Sequence, residues 1–380
     1  MKIVRTSTVP TSLDTFCRGL LRELHEKEGY EIVAVSSPGK ELDDIRCREE
    51  VKTYAVKMER HISPLQDIKS LLGLIRVFRK EKPQLVHSIT PKAGLLSMLA
   101  AWVCRVPVRL HTFTGLVFPT AKGLKQKILI FTDRLTCACA THVVPEGQGV
   151  RNDLVKYKIT RKPLKVLGHG NIRGIDLTYY DRTPEVMTQV TKIRKEGLLT
   201  FIFIGRLVGD KGINELVSAF SALNNKYPGT RLLLVGSQEQ TLDPLRHDTL
   251  IEIENNPAIE AVGRKDDVRP WLAASDVFVF PSYREGFPNV VIEAGAMGLP
   301  SIVTDINGSN GIVIDGENGI IIPPRQTNPL YEAMEFFITD AGFASRLSSN
   351  ARELISSRFE QGYVRQCLKD YYKEILSTIR

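Results

Sequence analysis

Residues 276–305 read DVFVFPSYREGFPNVVIEAGAMGLPSIVTD and contain two strand-like runs on either side of a short helix-like segment. The runs DVFVFPS and PSIVTD consist largely of β-branched and aromatic residues, which are typical of strands buried on both faces. The segment between them, residues 289–297, is followed by Gly298-Leu299-Pro300, a combination that stops a helix. A strand, a helix and a second strand in this order predict one unit of a parallel sheet.

The same alternation extends over most of the chain. Runs such as KIVRTS and VRLHTF alternate with helix-like segments in the first half, and LLTFIFIG, RLLLVGS and AIEAVG do so in the second. Between the halves, residues 168–198 are rich in Gly, Asn and Asp, which is typical of an interdomain connection. The sequence therefore predicts an α/β protein with two doubly wound, Rossmann-like domains that face a central cleft.

The domain boundaries follow from this alternation. We predict an N-terminal domain over residues 1–170, a connection over 171–197 and a C-terminal domain over 198–360. Residues 361–380 are predicted to form a helix that packs back toward the N-terminal domain. Ligands of such sheets bind at the carboxyl ends of the strands, so functional residues are expected in the loops that follow strands.

The two halves of the chain differ in charge. The 380 residues have a formal net charge of +8, but residues 1–170 carry 29 Lys and Arg against 16 Asp and Glu, and the remainder carry 22 against 27. The basic half predicts contact with an anionic surface or substrate. No nucleic-acid motif or aromatic stacking platform accompanies it, which argues against a nucleic-acid-binding protein.

Several other classes are disfavoured by the sequence. The six cysteines have no metal-ligand spacing, and we expect them to be free thiols in a reducing compartment. The longest apolar stretch, residues 93–104, is shorter than the roughly 20 residues that span a bilayer. The N-terminus lacks the apolar core of a signal peptide.

The loop after LLTFIFIG carries two cations between glycines. Gly205 allows close approach of a backbone, and Gly212 opens the next helix, whose N-terminus favours anions. Arg206 offers a planar fork of donors and Lys211 a point charge, a pair suited to a diphosphate. The alternative is a strand–helix turn with solvated cations.

The loop after DVFVFPS is followed by a helix that begins near Asn289 and offers backbone N–H groups to a phosphate. Glu293, just over one turn into this helix, can accept hydrogen bonds from a ribose diol, and Glu285 can reach what lies beyond the phosphates. The alternative is that Glu293 completes the helix surface and Glu285 is a solvated loop acid. The surrounding glycines and strands favour the pocket.

These motifs resemble glycosyltransferase family 4, the retaining, nucleotide-sugar-dependent glycosyltransferases with the GT-B fold. The resemblance covers essentially the whole chain and is most specific over residues 198–325, in GRLVGDKG, the stretch 276–305 and GENGIIIPP. It implies a GT-B fold with an acceptor-binding N-terminal domain and a nucleotide-sugar-binding C-terminal domain. The loop LHTFTGLVFPT also resembles the branch of the family that builds bacterial surface polysaccharides.

The resemblance implies a role for each matching residue of the C-terminal half. Arg206 and Lys211 match the cationic pair on the donor diphosphate. Glu285 matches the acid that contacts the donor sugar, and Glu293 matches the acid that holds the nucleotide ribose. One segment matches the backbone that faces the sugar and the diphosphate, and it consists of Gly286, Phe287, Pro288, Asn289 and Val290.

The resemblance is weaker at three other places. His111 falls where the family often has a His near the transferring sugar, although a lone His is more often structural. Arg264, in the loop after AIEAVG, is predicted to line the base pocket. Residues 7–15, STVPTSLDT, lack the paired glycines that many members carry after the first strand, which leaves Thr11 and Ser12 to contribute side-chain hydrogen bonds there.

The predicted mechanism uses no metal and no cofactor, because no Asp-x-Asp sequence occurs in the chain. Arg206, Lys211 and helix dipoles would stabilise the leaving diphosphate, with Glu285 and His111 completing the catalytic set. Retention can arise from a covalent intermediate or from same-face attack assisted by the leaving phosphate, and the resemblance favours the second. The donor substrate is expected to be a nucleoside diphosphate sugar, namely a UDP-sugar, and the enzyme a hexosyltransferase.

The acceptor is expected against the basic N-terminal half. KGLKQKILIFTDRL and IKSLLGLIRVFRKEK mix cations with apolar residues, which predicts peripheral contact with an anionic membrane surface on its cytoplasmic side. The alternative for each segment is a core-facing helix with a solvated cationic face. A polyprenyl-diphosphate-linked saccharide would suit such a surface. The alternative function is a nucleotide-sugar 2-epimerase, which needs no acceptor surface.

Overall fold

The computed structural model describes residues 1–61, 63–239, 241 and 243–379. The chain forms two compact units, one of residues 1–174 with 362–380 and the other of residues 175–361. Arg380, the last residue of the predicted C-terminal segment, lies outside the described residues.

The first unit alternates strands with helices. Its strands are β1 (Lys2–Thr6), β2 (Glu31–Ser36), β3 (Lys52–Ala55), β4 (Leu85–Ile89), β5 (Val108–Phe113) and β6 (His142–Pro145). Its first helices are α1 (Pro10–Cys17), α2 (Leu20–Glu26), α3 (Lys40–Glu49), α4 (Pro64–Glu81), α5 (Pro91–Val103), α6 (Gly123–Cys139) and α7 (Gln148–Lys156). The strands pair in parallel in the order β3-β2-β1-β4-β5-β6.

The second unit repeats this plan. Its helices are α8 (Pro184–Ile193), α9 (Ile213–Lys226), α10 (His247–Asn255), α11 (Arg269–Ala273), α12 (Asn289–Ala296), α13 (Ser309–Ile312), α14 (Thr327–Thr339) and α15 (Ala341–Phe359). Its strands are β7 (Leu199–Ile204), β8 (Thr230–Val235), β9 (Ile259–Gly263), β10 (Val277–Phe280), β11 (Ser301–Thr304) and β12 (Gly319–Ile322). They pair in parallel in the order β12-β11-β10-β7-β8-β9.

Both sheets have the doubly wound strand order. Within each unit, the first strand lies beside the second on one side and beside the fourth on the other. The order therefore breaks between β1 and β4 in the first sheet and between β7 and β10 in the second. Ligands bind beside such a break, outside the carboxyl ends of the strands. The predicted α/β class with two Rossmann-like sheets is confirmed.

The strands are buried on both faces, as their near-continuous apolar sequences predict. Every residue of β4, β8, β10 and β11 is buried. In the second unit the rings of Phe203 and Phe278 each stack on that of Phe280, with centroids 5.8 and 5.9 Å apart. Burying such a side chain stabilises the fold by about 1.5–3 kcal/mol, so these rings anchor β7 to β10 directly beneath the break.

The last helix, α16 (Gln361–Leu376), contributes to the core of the first unit. Tyr372 is fully buried, and its hydroxyl accepts a hydrogen bond of 2.6 Å from the Arg5 guanidinium and lies 2.6 Å from His87 Nδ1. A buried polar network of this kind fixes one docking position for the helix, because its groups find partners in only one arrangement.

Two local features differ from the sequence expectations. Phe16, Leu20, Leu21 and Leu24 predict one helix between the first two strands, but the structure divides it into α1 and α2 at Gly19, which has φ +72°. Helix α8 occupies residues within the predicted connection and buries Val186 and Val190 in the core of the second unit. Its start, Thr183 followed by a proline, is a typical helix N-terminus. Within the described ranges, no helix combines the length and apolarity that a membrane crossing requires.

Candidate functional site

The candidate site lies in the second unit, at the break between β7 and β10. The loop after β7 and the loop after β10 both leave the sheet at its carboxyl edge, and the two strands pair side by side. The first loop contains Gly205, Arg206 and Lys211, and the second contains Glu285 and Gly286. The fold thus brings two segments together that are separated by about 70 residues in sequence.

The two loops approach each other closely at Gly212. This residue precedes α9 and has φ +71°, and an added Cβ would lie 2.2 Å from the carbonyl oxygen of Pro281. A side chain would therefore collide with backbone, which explains why glycine stands here. Within the described residues, no side chain caps the N-terminus of α9 from this position.

Lys211 and Glu285 form an ion pair across the two loops. Both side chains are 17% exposed, so the pair is largely withdrawn from water but open to a ligand. The Lys211 ammonium lies 5.3 Å from the centre of the Phe280 ring, and Ser282 Oγ donates a 2.9 Å hydrogen bond to Glu285. Both charges are thus held in fixed positions before any ligand arrives, which is what electrostatic stabilisation of a reacting group requires.

A second ion pair supports the loops from the outside. Arg284 donates a 2.9 Å hydrogen bond to the carboxylate of Asp210, and Tyr283 N–H donates to the Asp210 carbonyl oxygen at 2.8 Å. Asp210 directly precedes Lys211, so these bonds fix the position from which the lysine extends. Sequence reasoning missed this role of Arg284 and Asp210, because neither spacing nor residue type distinguishes them from solvated loop charges.

The predicted cations Arg206 and Arg264 lie at more exposed positions. Arg206 is 54% exposed and pairs with Glu239 at 3.1 Å. Arg264 is 80% exposed and lies 3.8 Å from Asp266. Ion pairs as exposed as these contribute little to stability, so both guanidinium groups can exchange their present partners for a ligand at low energetic cost.

Helix α12 begins at the predicted segment. Pro288 is its N-cap residue and supplies no side-chain hydrogen bond within the described part of the chain. The start of α12 lies beside the loop that carries Glu285, where the positive end of the helix dipole favours an anion. Phe287 is 8% exposed and packs edge-on against Phe359, with centroids 5.7 Å apart. Val290 packs against the core, and Glu293 is a partly buried residue of the second turn.

Two glycines that sequence reasoning missed shape the same edge of the sheet. A Cβ on Gly236, which follows β8, would lie 1.7 Å from the carbonyl oxygen of Gly205. A Cβ on Gly308, which precedes α13, would lie 2.4 Å from the carbonyl oxygen of Gly286. Both therefore allow neighbouring loops to touch the predicted residues. The signal available in the sequence was that Gly236, like Gly205, directly follows an apolar strand.

His111 lies in the first unit, at the end of β5, and is 1% exposed. Its Nδ1 lies 2.8 Å from Ser88 Oγ, and its ring packs edge-on against Phe113 with centroids 4.4 Å apart. A Cβ on Gly94 would lie 2.3 Å from this ring. Burial lowers the pKa of His111 to about 3, so the imidazole is neutral near pH 7. Its catalytic role stays a prediction.

Among the residues that the structure describes, no group of three potential metal ligands occurs. The six cysteines form no disulfide within the same set.

At the break in the second sheet, two loops carry Lys211 and Glu285, and helix α12 begins beside them. Comparison with known proteins identifies the class. Residues 13–170 match the family described as "Glycosyl transferase 4-like domain", and residues 199–340 match "Glycosyl transferases group 1". The chain belongs to this glycosyltransferase family.

Two relatives match over nearly their whole lengths. The capsular polysaccharide biosynthesis glycosyltransferase CapM of Staphylococcus aureus is 30% identical over 376 residues, which cover 99% of this chain and 97% of that protein. The UDP-Gal:alpha-D-GlcNAc-diphosphoundecaprenol alpha-1,3-galactosyltransferase of Escherichia coli is 28% identical, covering 93% of this chain and 92% of that protein.

Solved structures confirm the GT-B fold. The Anabaena protein HepE in complex with UDP has 17% identity and a TM-score of 0.79, and covers 98% of this chain. A UDP-N-acetylglucosamine 2-epimerase is also similar, with 14% identity and a TM-score of 0.64. The fold alone therefore does not distinguish a glycosyltransferase from a nucleotide-sugar 2-epimerase. The family matches favour the glycosyltransferase.

Proposed function

We propose that this glycosyltransferase moves a hexose from a UDP-sugar to a saccharide acceptor, with retention at the anomeric carbon and without a metal. The observation that carries the proposal is the Lys211–Glu285 ion pair at the break in the second sheet. A cation and a carboxylate side by side match a donor that has an anionic diphosphate next to a sugar with hydroxyl donors.

Each residue of the site would contact a different part of the donor. Lys211 and Arg206 would meet the diphosphate, together with the N-terminal amides of α12. Glu285 would then accept hydrogen bonds from the sugar hydroxyls. Glu293 would hold the ribose diol, and Arg264 would lie beside the base.

The proposed reaction proceeds on one face of the sugar. The bond between the anomeric carbon and the diphosphate oxygen breaks, and the acceptor oxygen bonds to the same face of that carbon. The acceptor hydroxyl proton passes to the leaving diphosphate. Lys211, Arg206 and the amides of α12 stabilise the charge that develops there, and fixed donors of this kind contribute about 3–4 kcal/mol each.

The acceptor we propose is a polyprenyl-diphosphate-linked saccharide used in bacterial surface polysaccharide assembly. The relative from Escherichia coli is named for an acceptor of this kind, and that from Staphylococcus aureus for capsule synthesis. Such a substrate stays in the membrane, so the enzyme must reach it from the cytoplasmic side, where nucleotide sugars would be supplied.

We further propose that α6 contacts the membrane. Leu124, Ile128 and Phe131 are 73%, 38% and 65% exposed, and their spacing places them on one face of the helix. Lys125 and Lys127 flank this face. Exposed apolar side chains between cations suit the boundary of an anionic membrane.

A donor screen followed by a transfer assay tests the enzymatic proposal. UDP-glucose, UDP-galactose, UDP-N-acetylglucosamine and UDP-N-acetylgalactosamine are compared for thermal stabilisation, since a bound donor raises stability by mass action. The stabilising donor is then incubated with farnesyl-diphosphate-linked N-acetylglucosamine, and NMR gives the configuration of the new bond. We expect the donor's own anomeric configuration, and unchanged turnover in EDTA.

Three outcomes contradict the proposal. Isomerised UDP-sugar in the absence of acceptor indicates an epimerase. An inverted anomer refutes retention. Activity that EDTA abolishes and magnesium restores refutes the metal-free mechanism.

Vesicle binding tests the proposal for α6. Phosphatidylglycerol vesicles should bind the wild-type chain and bind a Phe131→Ser variant more weakly. Phe336→Ser, which alters a 51% exposed phenylalanine of the second unit, is the matched control. Equal binding of all three proteins removes the membrane contact of α6.

A further inference from the structure

The first unit contains a cavity of about 150 Å³ at the carboxyl ends of β4 and β5. One ordered water needs roughly 10–15 Å³ on a comparable measure, so the cavity is large enough for a small ring rather than a single water. Its walls come from three helices, α4, α5 and α6, from the end of β5 and the segment that follows it, and from Arg60 in the segment before α4. It lies where open parallel sheets bind ligands.

The cavity has an apolar wall and an open mouth. Leu95, Phe113 and Leu129 line the interior, and Val117 and Ile128 line it while also being 45% and 38% exposed. Phe113 is the residue that packs edge-on against His111. The cavity therefore opens to the surface beside Val117 and ends against the wall that holds His111.

Two carboxylates line the cavity, and one of them has an oxygen atom without a hydrogen-bond partner among the described residues. Asp67 binds Lys92 at 2.6 Å through Oδ2, but its Oδ1 is buried with no hydrogen-bond partner among the described residues. Asp133 of α6 also lines the cavity, and burial raises the pKa of its carboxyl to about 7. An unsatisfied buried polar group costs about 1–3 kcal/mol, which a ligand that donates a hydrogen bond to Asp67 Oδ1 would recover.

Backbone strain occurs at the same edge of the sheet. Thr90, between β4 and α5, has φ +71°, a conformation that is rare for a β-branched residue. It positions Pro91 and Lys92, both of which line the cavity. Strained residues of this kind persist where the surrounding structure holds them, and they are concentrated at binding sites.

We propose that this cavity binds the terminal sugar ring of the acceptor, with Asp67 and Asp133 accepting hydrogen bonds from its hydroxyl groups and Phe113 covering its apolar face. The inference rests on the proposed glycosyl transfer and assigns the acceptor subsite within the first unit. A sugar offers several hydroxyl donors and C–H faces, which match two acids on an apolar wall. Arg60 and Lys92 also line the cavity, and Lys92 is already paired with Asp67. A diphosphate offers only acceptors, so it could bond to these two cations but not to the carboxylates.

The test measures binding of acceptor-like probes without any transfer. The full chain is titrated with octyl glucoside, octyl galactoside and octyl N-acetylglucosaminide, and with inorganic pyrophosphate, by isothermal titration calorimetry. We expect at least one glycoside to bind, with its Kd raised about tenfold or more in Asp133→Asn. Asp44→Asn, which removes an exposed charge on α3, should bind like the wild type.

A second variant lies outside α6, so the test does not depend on how Asp133→Asn affects the folding of that helix. Val117→Trp places a large ring at the exposed mouth of the cavity and should also weaken glycoside binding about tenfold. Stabilisation by the UDP-sugar is measured in the same variants and should be unchanged, so failure of the acceptor subsite is distinguishable from failure of the donor site. Glycoside binding that both variants leave intact overturns the proposal, as does a panel in which only pyrophosphate binds.

Discussion

The residues at the break in strand order differ between the two units. Thr8 and Thr90 lie there in the first unit, whereas Lys211, Gly212 and Glu285 lie there in the second. In the first unit, Thr8 Oγ1 accepts a 3.1 Å hydrogen bond from the Ala93 N–H in the first turn of α5 and lies 2.8 Å from Thr90 Oγ1. In the second unit, Lys211 and Glu285 form an ion pair at the corresponding break. The same sheet topology thus carries a network of hydroxyl groups at the break in one unit and a pair of opposite charges in the other.

The backbone has the same conformation before a helix in both units, but the reason for it differs. Thr90 and Gly212 both have φ +71° and both precede a helix at the break. Threonine tolerates the strain because its hydroxyl bonds to Thr8, whereas glycine is required at 212 because the carbonyl oxygen of Pro281 leaves no room for a Cβ. A shared fold therefore does not imply a shared function, because function depends on the residues in the loops at the carboxyl ends of the strands.

The largest expected effect comes from the charges of the second unit. Lys211→Ala and Glu285→Ala should each reduce kcat for glycosyl transfer by about 100-fold, the scale of losing one preorganised electrostatic contact. Lys226→Ala is the matched control, because it breaks another Lys–Glu pair, with Glu335 at 2.8 Å, at the opposite end of α9. Steady-state kinetics with the stabilising UDP-sugar measure all three variants.

Near-wild-type turnover of both Lys211→Ala and Glu285→Ala would falsify the assignment of the donor site. A comparable loss in Lys226→Ala would instead show that the effect comes from general destabilisation of the second unit.

We expect an effect of intermediate size on the free energy of unfolding when Gly212 is replaced. Gly212→Ala should lower the free energy of unfolding by clearly more than Gly263→Ala, although both residues have φ +71°. The left-handed conformation costs an alanine about 1–2 kcal/mol at either position. At Gly263 an added Cβ meets nothing within 4 Å among the described atoms, whereas at Gly212 it meets backbone at 2.2 Å. Urea denaturation compares the two variants, and equal losses would show that the two loops can separate without cost.

The sequence predicted the second unit in more detail than the first. Buried parallel strands can be recognised as apolar runs, and ligands of such sheets bind in the loops that follow strands. Gly205, Lys211 and Glu285 could therefore be predicted as site residues from their position after such runs and from the family resemblance. The partner of Lys211 could not, because its pairing with Glu285 depends on the pairing of β7 with β10.

In the first unit, the pKa values of two acids depend on burial, which residue type does not reveal. Asp133 looks like one more acid on a basic helix until the fold encloses it. Glu146 looks like a loop acid after β6, but it is 3% exposed and burial raises its pKa to about 8. Both depend on which helices cover the sheet, and the periodicity of a single segment contains no such information.

The smallest effect is expected at the capped break of the first unit. Thr8→Val removes the hydroxyl that bonds to the Ala93 N–H and to Thr90, and should lower the free energy of unfolding by about 1 kcal/mol, as expected for the loss of a helix cap. Thr11→Val, at an exposed position of α1, should have no measurable effect.

Because the Thr8 hydroxyl is already bonded within the first unit, stabilisation by the UDP-sugar should be the same in Thr8→Val as in the wild type. If this variant instead lost donor stabilisation while keeping its midpoint in urea, Thr8 would be a donor contact. The contrast between hydroxyl groups that only stabilise the first unit and charges that bind the donor in the second would then be wrong.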